Sequence, residues 1–303
     1  MNSPQPAPIA AFAFNRPSHL ARTIEALKAC PEAQRSHLTL YCDGARGPRD
    51  EEAVSAVRGY ASTIDGFASV TVDASDTNRG LAASIVRGVS DQLKHSDRVI
   101  VLEDDLVVSP HFLRYMNDGL SHYADDPRVA SIHGYVYPTG CALPETFFLE
   151  GADCWGWGTW ARAWSHFEAD GSKLLAELER RKLTRRFDFD GSFPYTQMLR
   201  DQIAGRNNSW AIRWHAACYL KGFLTLYPAR SLVRNIGHDS SGTHCGTTDV
   251  LDAQVTEDPI TVSSIPVEPS AIVHRAFAHF LAGQLSWRQR VRMTLSHVLN
   301  AAR

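Results

Sequence analysis

The chain predicts an α/β fold, a mostly parallel central sheet with helices on both faces, and three observations carry that expectation. Short apolar runs alternate with amphipathic stretches through the first hundred residues, the order of a sheet wound by crossover helices. Those runs stop at polar or glycine-containing groups: Asn15-Arg16, Asp43-Gly44 and Glu103-Asp104-Asp105. The composition, 303 residues with 44% hydrophobic and 21% charged, is that of a chain able to bury a full core.

Each element follows from its own residues. Pro8 to Phe14 reads as a buried strand, and Ser18 as the N-cap of a helix over Leu20 to Leu27. His37 to Cys42 is a second strand, Pro48 to Tyr60 a charged helix, Ala68 to Val72 a third strand and Leu81 to Leu93 a third helix. Val99-Ile-Val-Leu102 is then a strand that delivers three consecutive acids before Pro110. Right-handed crossovers put the carboxyl ends of parallel strands on one edge, where ligands of such sheets bind. That rule gathers Asn15, Arg16, Asp43, Asn78, Arg79, Gly80, Glu103, Asp104 and Asp105.

Burying an unpaired carboxylate is costly, so three acids at a strand end call for a cation or for water. A hard divalent ion takes oxygen ligands, accepts one or two protein carboxylates and leaves positions for substrate phosphates. A solvated acidic turn is the competing reading. Along the same edge Asp43 is suited to accept from a base imide or ribose hydroxyl, Arg16 or Arg79 to fork onto phosphate, and Gly80 to let the backbone approach closely. Asp43-Gly44 reads equally as a plain turn, and Asn78-Arg79-Gly80 as a loop before a helix. No G-x-G-x-x-G follows the first strand and no G-x-x-x-x-G-K-[ST] occurs, which argues against dinucleotide and P-loop enzymes.

A net charge of −2 gives no footprint for nucleic acid. Six cysteines without C-x-x-C spacing and no signal-like N-terminal stretch point to reduced thiols and a cytoplasmic location. No run of about 18 apolar residues is present to span a bilayer.

The order Ile9 to Pro17, Leu40 to Gly44, Asn78 to Ala82 and Val101 to Leu106 resembles that of GT-A fold glycosyltransferases. It is similar to bacterial family-2-like members and to the N-acetylglucosaminyltransferase I group, whose Glu-Asp-Asp stands where other members carry Asp-x-Asp. The resemblance spans roughly residues 8 to 248. It implies a Mn²⁺ (or Mg²⁺) ion on Asp105, a UDP-sugar donor with UDP-GlcNAc as one case, and uracil recognition by Asp43. It divides the chain into a catalytic domain over 1–268, with a nucleotide half at about 8–110 and an acceptor half with a donor-closing loop at 111–250, and a tail over 269–303.

In the acceptor half, Cys154 to Trp164 holds four tryptophans within ten residues. Indole faces pack on sugar C–H faces, and Trp157 is the candidate for that contact. Trp160 and Trp164, four apart, read as core residues on one helix face. The polar segment Val233 to Cys245 suits a loop ordering over a diphosphate, with Ser241 and His244 as its candidate ligands. An inverting transferase needs a carboxylate to take the acceptor proton. The related enzymes often carry it in a Trp-Asp context, where this chain has Trp210-Ala211. Asp201 is the substitute, with Asp153, Asp188 and Asp190 behind it. The tail has no acid and five arginines, with Val291, Leu295, Val298 and Leu299 on a helical stripe. It is a candidate for peripheral contact with the inner face of a membrane, where a lipid-linked saccharide acceptor would be met, or for packing on its own domain. A nucleotidyltransferase and a noncatalytic sugar-nucleotide-binding module are the alternatives.

Overall fold

A computed structural model describes residues 5–239 and 250–285. Ser241, His244 and residues 286–303 of the tail lie outside the described residues. Strand β1 (Ile9–Ala13) shows how the sheet is built: Ile9, Ala11 and Ala13 turn to one apolar layer and Ala10 and Phe12 to the other. A strand buried on both faces carries apolar residues throughout, which is why this run does not alternate with polar ones. Helix α1 (Pro17–Lys28) starts at the proline itself, with Arg16 before it and no side-chain cap. Pro17 presets the first helical φ, and the N–H it lacks is one the first turn would leave unpaired, so the helix starts one residue before Ser18. There follow β2 (His37–Cys42), α2 (Pro48–Ala61), β3 (Ser69–Ala74), α3 (Leu81–Gln92) and β4 (Arg98–Glu103).

The chain does not stop at the acids. Asp104 and Asp105 form a turn into a short strand, β5 (Leu106–Val108), which pairs antiparallel with β10 (Val233–Asn235) in a separate two-stranded ribbon. Between them come α4 (Phe112–His122), β6 (Val129–His133), β7 (Thr146–Glu150), β8 (Trp157–Trp160), α5 (Ala161–Trp164), α6 (Gly171–Arg180), α7 (Thr184–Phe187), α8 (Tyr195–Ile203), α9 (Trp210–Lys221) and β9 (Leu224–Pro228). The main sheet has the order β3-β2-β1-β4-β8-β6-β9-β7. Strands β1 to β4 are mutually parallel; β8 runs antiparallel to β4 and β6, β9 parallel to β6, and β7 antiparallel to β9. The carboxyl ends of β1, β2, β4, β6 and β9 and the amino end of β8 therefore share one edge.

Helices α1, α2 and α4 cover one face and α3, α5, α6, α8 and α9 the other. The tryptophans divide between these layers. Trp157 is 1% exposed and packs on Trp164, Trp210 and Trp214. Trp160, the last residue of β8, lies in the opposite layer with its indole N–H on the Leu120 carbonyl. Trp160 and Trp164 thus do not share a helix face, because β8 ends between them. The last helix, α10 (Ala271–Gln284), docks Val273, Phe277 and Leu281 against Phe147, Leu149 and Tyr227 at the β7 flank. Over those residues the tail packs on its own domain. No helix of the described residues is long and apolar enough to cross a membrane.

Candidate functional site

The acids at the end of β4 are enclosed by two segments. From α1's start, Arg16 Nη2 donates to Asp104 Oδ1 and to Asp105 Oδ2, the latter at 2.8 Å. The Thr23 hydroxyl donates to the Asp104 carbonyl at 2.8 Å. From the turn after β10, Ile236 N–H donates to the Asp105 carbonyl at 2.8 Å. Gly237 then passes so near that a Cβ there would fall inside contact distance of Asp105 Oδ2 and 3.0 Å from Arg16 Nη1. Only a residue without a side chain fits this crossing. The same turn is tied to α1 by His19 Nε2 and Asp239 Oδ2, 3.1 Å apart.

Electrostatics set the three carboxyls apart. Burial, together with the neighbouring charges of Asp105 and Asp104, pushes Glu103 up to about 8, and no hydrogen bond reaches its carboxyl among the described residues. Burial also raises Asp104, to about 6, although Arg16 opposes the rise. Arg16 stays protonated: burial works against its charge and the two aspartates more than offset it. Arg16 is thus a counter-ion to the acids in this structure, not the free phosphate fork that its sequence position suggests.

Asp43 accepts from the protein's own donors. Its Oδ1 accepts the N–H groups of Gly44 and Arg79 at 3.0 and 2.8 Å, and its Oδ2 those of Asn78 Nδ2 and Gly80 at 3.1 and 2.9 Å. Four protein donors thus surround the carboxylate expected to face a uracil, and they mould residues 78–80 around it. Gly80 has φ +76, a conformation that a side chain disfavours, and it precedes α3 directly. Asn78 also donates to the Gly44 carbonyl at 2.8 Å. The exposed Arg79 side chain carries no ion pair among the described residues, so it is the cation of this loop available to a phosphate. Asn15 donates to Asp50 Oδ1 at 2.9 Å, at the start of α2.

The tryptophan at the edge is Trp155, not Trp157. Trp155 is half-buried, its ring 4.7 Å from that of Tyr135 and 5.4 Å from that of His238, and its N–H donates to His133 Nε2 at 3.1 Å. Trp157 faces the helix layer because it enters β8 in the register of Val101. His238 follows Gly237, and both its ring nitrogens are buried without a hydrogen-bond partner. It stands one residue after the Gly237 crossing, where the sequence suggested His244.

Asp153, leading into β8, accepts its own neighbour's N–H, from Cys154, at 2.9 Å. Burial and the charges of Asp153, Glu103 and Asp105 raise the Cys154 thiol well above its usual value. His133, Tyr137, Tyr195 and Tyr227 all feel the charge of Asp153. Asp201 is elsewhere. Tyr195 opens α8 near this group, but Asp201 lies six residues on, roughly 9 Å along the helix axis. Its Oδ1 takes Gln197 Nε2 at 2.8 Å and Arg206 Nε at 2.9 Å, a local ion pair closing the helix. Asp188 is buried and accepts Thr196 N–H at 2.6 Å, holding the start of α8. Asp190 is exposed, 3.8 Å from His274 Nδ1.

Among the described residues no three His, Cys, Asp or Glu side chains converge to hold a metal ion. What the edge offers is Asp105 with Asp104 beside it and a buried, unpartnered histidine. That set fits a hard cation shared with a substrate diphosphate and does not fit an all-protein cage.

No protein-family model matches the chain, and no curated protein matches it. Among solved structures, the chain is similar in part to a mannosyltransferase from Pyrobaculum calidifontis determined with GDP-Man and Mn²⁺. Identity is 16% and the TM-score 0.32, over 46% of this chain and 40% of that one. The likeness spans less than half of either protein.

Proposed function

We propose that this chain is a glycosyltransferase that binds a nucleoside-diphosphate sugar, with a UDP-sugar such as UDP-GlcNAc as the first donor class, and transfers the sugar to a saccharide or lipid-linked saccharide acceptor. One observation supports this reading above the others: the loop moulded by Asp43, the Arg16-paired acids and the Gly237-His238 turn meet on one edge of the sheet. Such an edge can take a base and ribose at the β2 end and a diphosphate at the β4 end.

Asp105 is the residue to hold a Mn²⁺ or Mg²⁺ ion, with His238 within the same enclosure. When bound, such an ion supplies positive charge to the diphosphate. The chain's own contributions are separate. Arg79 meets phosphate from the loop, Arg16 keeps Asp104 and Asp105 together, and the Trp155 indole borders the sugar. In the transfer, an acceptor oxygen bonds to the anomeric carbon while that carbon's bond to the diphosphate oxygen breaks. The nucleoside diphosphate leaves with the bonding electron pair, and the acceptor proton passes to Asp153, whose charge, like those of Glu103 and Asp105, acts on Cys154.

Calorimetric titration with UDP, with and without Mn²⁺, tests the donor reading. Wild type is expected to bind UDP more tightly with Mn²⁺, and Asp105→Ala to lose that metal dependence while keeping its circular-dichroism spectrum. Unchanged metal dependence in the variant would remove Asp105 from the site. Binding without release of UDP from any UDP- or GDP-sugar in a donor panel would favour a noncatalytic module.

A further inference from the structure

Beyond the acids the same edge carries a cavity of about 380 Å³, lined in part by Tyr137, Thr139 and Cys141 after β6, Arg230 and Ser231 after β9, and Gln254. Small-molecule sites occupy roughly 300–1,000 Å³, so the space is large enough for a ligand. Its position follows from the strand order. Strands β6 and β9 point the same way as β4, and only β8 separates β4 from β6. Two strand steps of about 4.8 Å put the β6 end roughly 10 Å from the acids. Asp153 precedes β8 in the chain, and its charge is felt at Tyr137, which lines the cavity.

The lining specifies the ligand's chemistry. Thr139 and Gln254 provide a hydroxyl and an amide and Tyr137 adds an aromatic wall, while the buried Ser231 hydroxyl is taken up by the backbone of Val136 and Val233. Arg230 lies 3.5 Å from Glu145 and donates to the Pro259 carbonyl, so its charge is matched and does not call for an anion. A hydroxyl-rich, uncharged molecule suits such a lining, and an anion does not. We propose that this cavity is the acceptor subsite and takes the terminal residue of a neutral saccharide, with one hydroxyl presented toward Asp153. The inference rests on the transferase reading above and extends it to the acceptor.

Cys141 supplies a probe, since it is an exposed free thiol in the cavity wall. The rate of its alkylation by N-ethylmaleimide, followed by peptide mass spectrometry, is measured with UDP and a panel of methyl glycosides of neutral hexoses and N-acetylhexosamines. At least one glycoside is expected to slow alkylation in a saturable manner. Gln254→Trp, at an exposed position, narrows the cavity and is expected to raise the KM for that glycoside by on the order of tenfold with UDP affinity unchanged. Failure of every glycoside to protect Cys141, with UDP still bound, overturns the acceptor subsite and leaves the donor reading in place. Protection of Cys141 by a protein that binds no nucleotide upholds the saccharide site and overturns the donor reading alone. An unchanged KM in Gln254→Trp also overturns the subsite.

Discussion

Replacing Arg16 by Gln tests whether the acids are a charged centre held by one guanidinium. The Arg16 side chain is 17% exposed, and those of Asp104 and Asp105 are 5% and 8%. Solvent therefore screens the arrangement weakly. Removing one partner of a buried pair costs about 3–5 kcal/mol, because the remaining charge stays desolvated without its counter-ion. Here the lower end applies, since Asp104, already raised to about 6, can take up a proton instead. For a chain of this size about 3 kcal/mol corresponds to a fall in Tm of roughly 5 °C. Differential scanning calorimetry at pH 7.5 in EDTA measures it. Without Arg16 the folded-state pKa of Asp104 rises further above its unfolded value. The folded variant then holds a proton that the unfolded chain lacks, and its stability drops as pH rises through that interval. The gap to wild type is therefore expected to narrow on acidification to pH 5. Addition of Mn²⁺ is expected to restore much of the lost stability in the variant and to affect wild type less. A loss below about 1 kcal/mol at both pH values, the range of exposed ion pairs, would refute the charged-centre argument.

Three further outcomes are expected. Glu103 carries a folded-state pKa near 8 against about 4.3 unfolded, so between those values stability falls with rising pH by at most about 1.4 kcal/mol per unit; urea unfolding in EDTA from pH 5 to 8.5 should show this slope in wild type and its loss in Glu103→Gln, and equal slopes would dismiss the buried acid. Asp43→Ala removes the acceptor of four N–H groups and should cost roughly 1.5–3 kcal/mol, with faster amide exchange at Arg79 and Gly80; unaltered exchange there would show that Asp43 does not anchor the loop. Asp153→Asn should keep UDP affinity and lose about 10²- to 10⁴-fold in transfer rate, while Asp201→Asn stays near wild type; the reverse order would return the base to α8.

Local pattern determined the first half of the molecule. Residues 37–42 form the strand their apolar run predicts, Pro48 and Leu81 begin helices as expected, and the acids stand at the end of β4. These features depend on side chains within a few residues of one another, where periodicity and the backbone preferences of Pro and Gly act directly. The edge that gathers Arg16, Asp43 and Glu103 was likewise legible, because parallel strands joined by right-handed crossovers must end together.

Pairing across distance decided the rest. Whether Trp155 or Trp157 faces the site depends on where β8 begins: Trp157 pairs with Val101, fifty-six residues earlier, and is held in the sheet, while Trp155 lies before the strand, across Gly156 with its φ of +64. The Gly237-His238 turn lies beside Asp105 only because β10 pairs with β5, a three-residue strand with no periodicity to announce it. Arg16 and Asp43 carry the residue types that a nucleotide site needs, and tertiary contacts decided where their bonds go. A guanidinium or carboxylate satisfies whatever groups the fold brings within about 3 Å. The sequence names those groups without giving their distances.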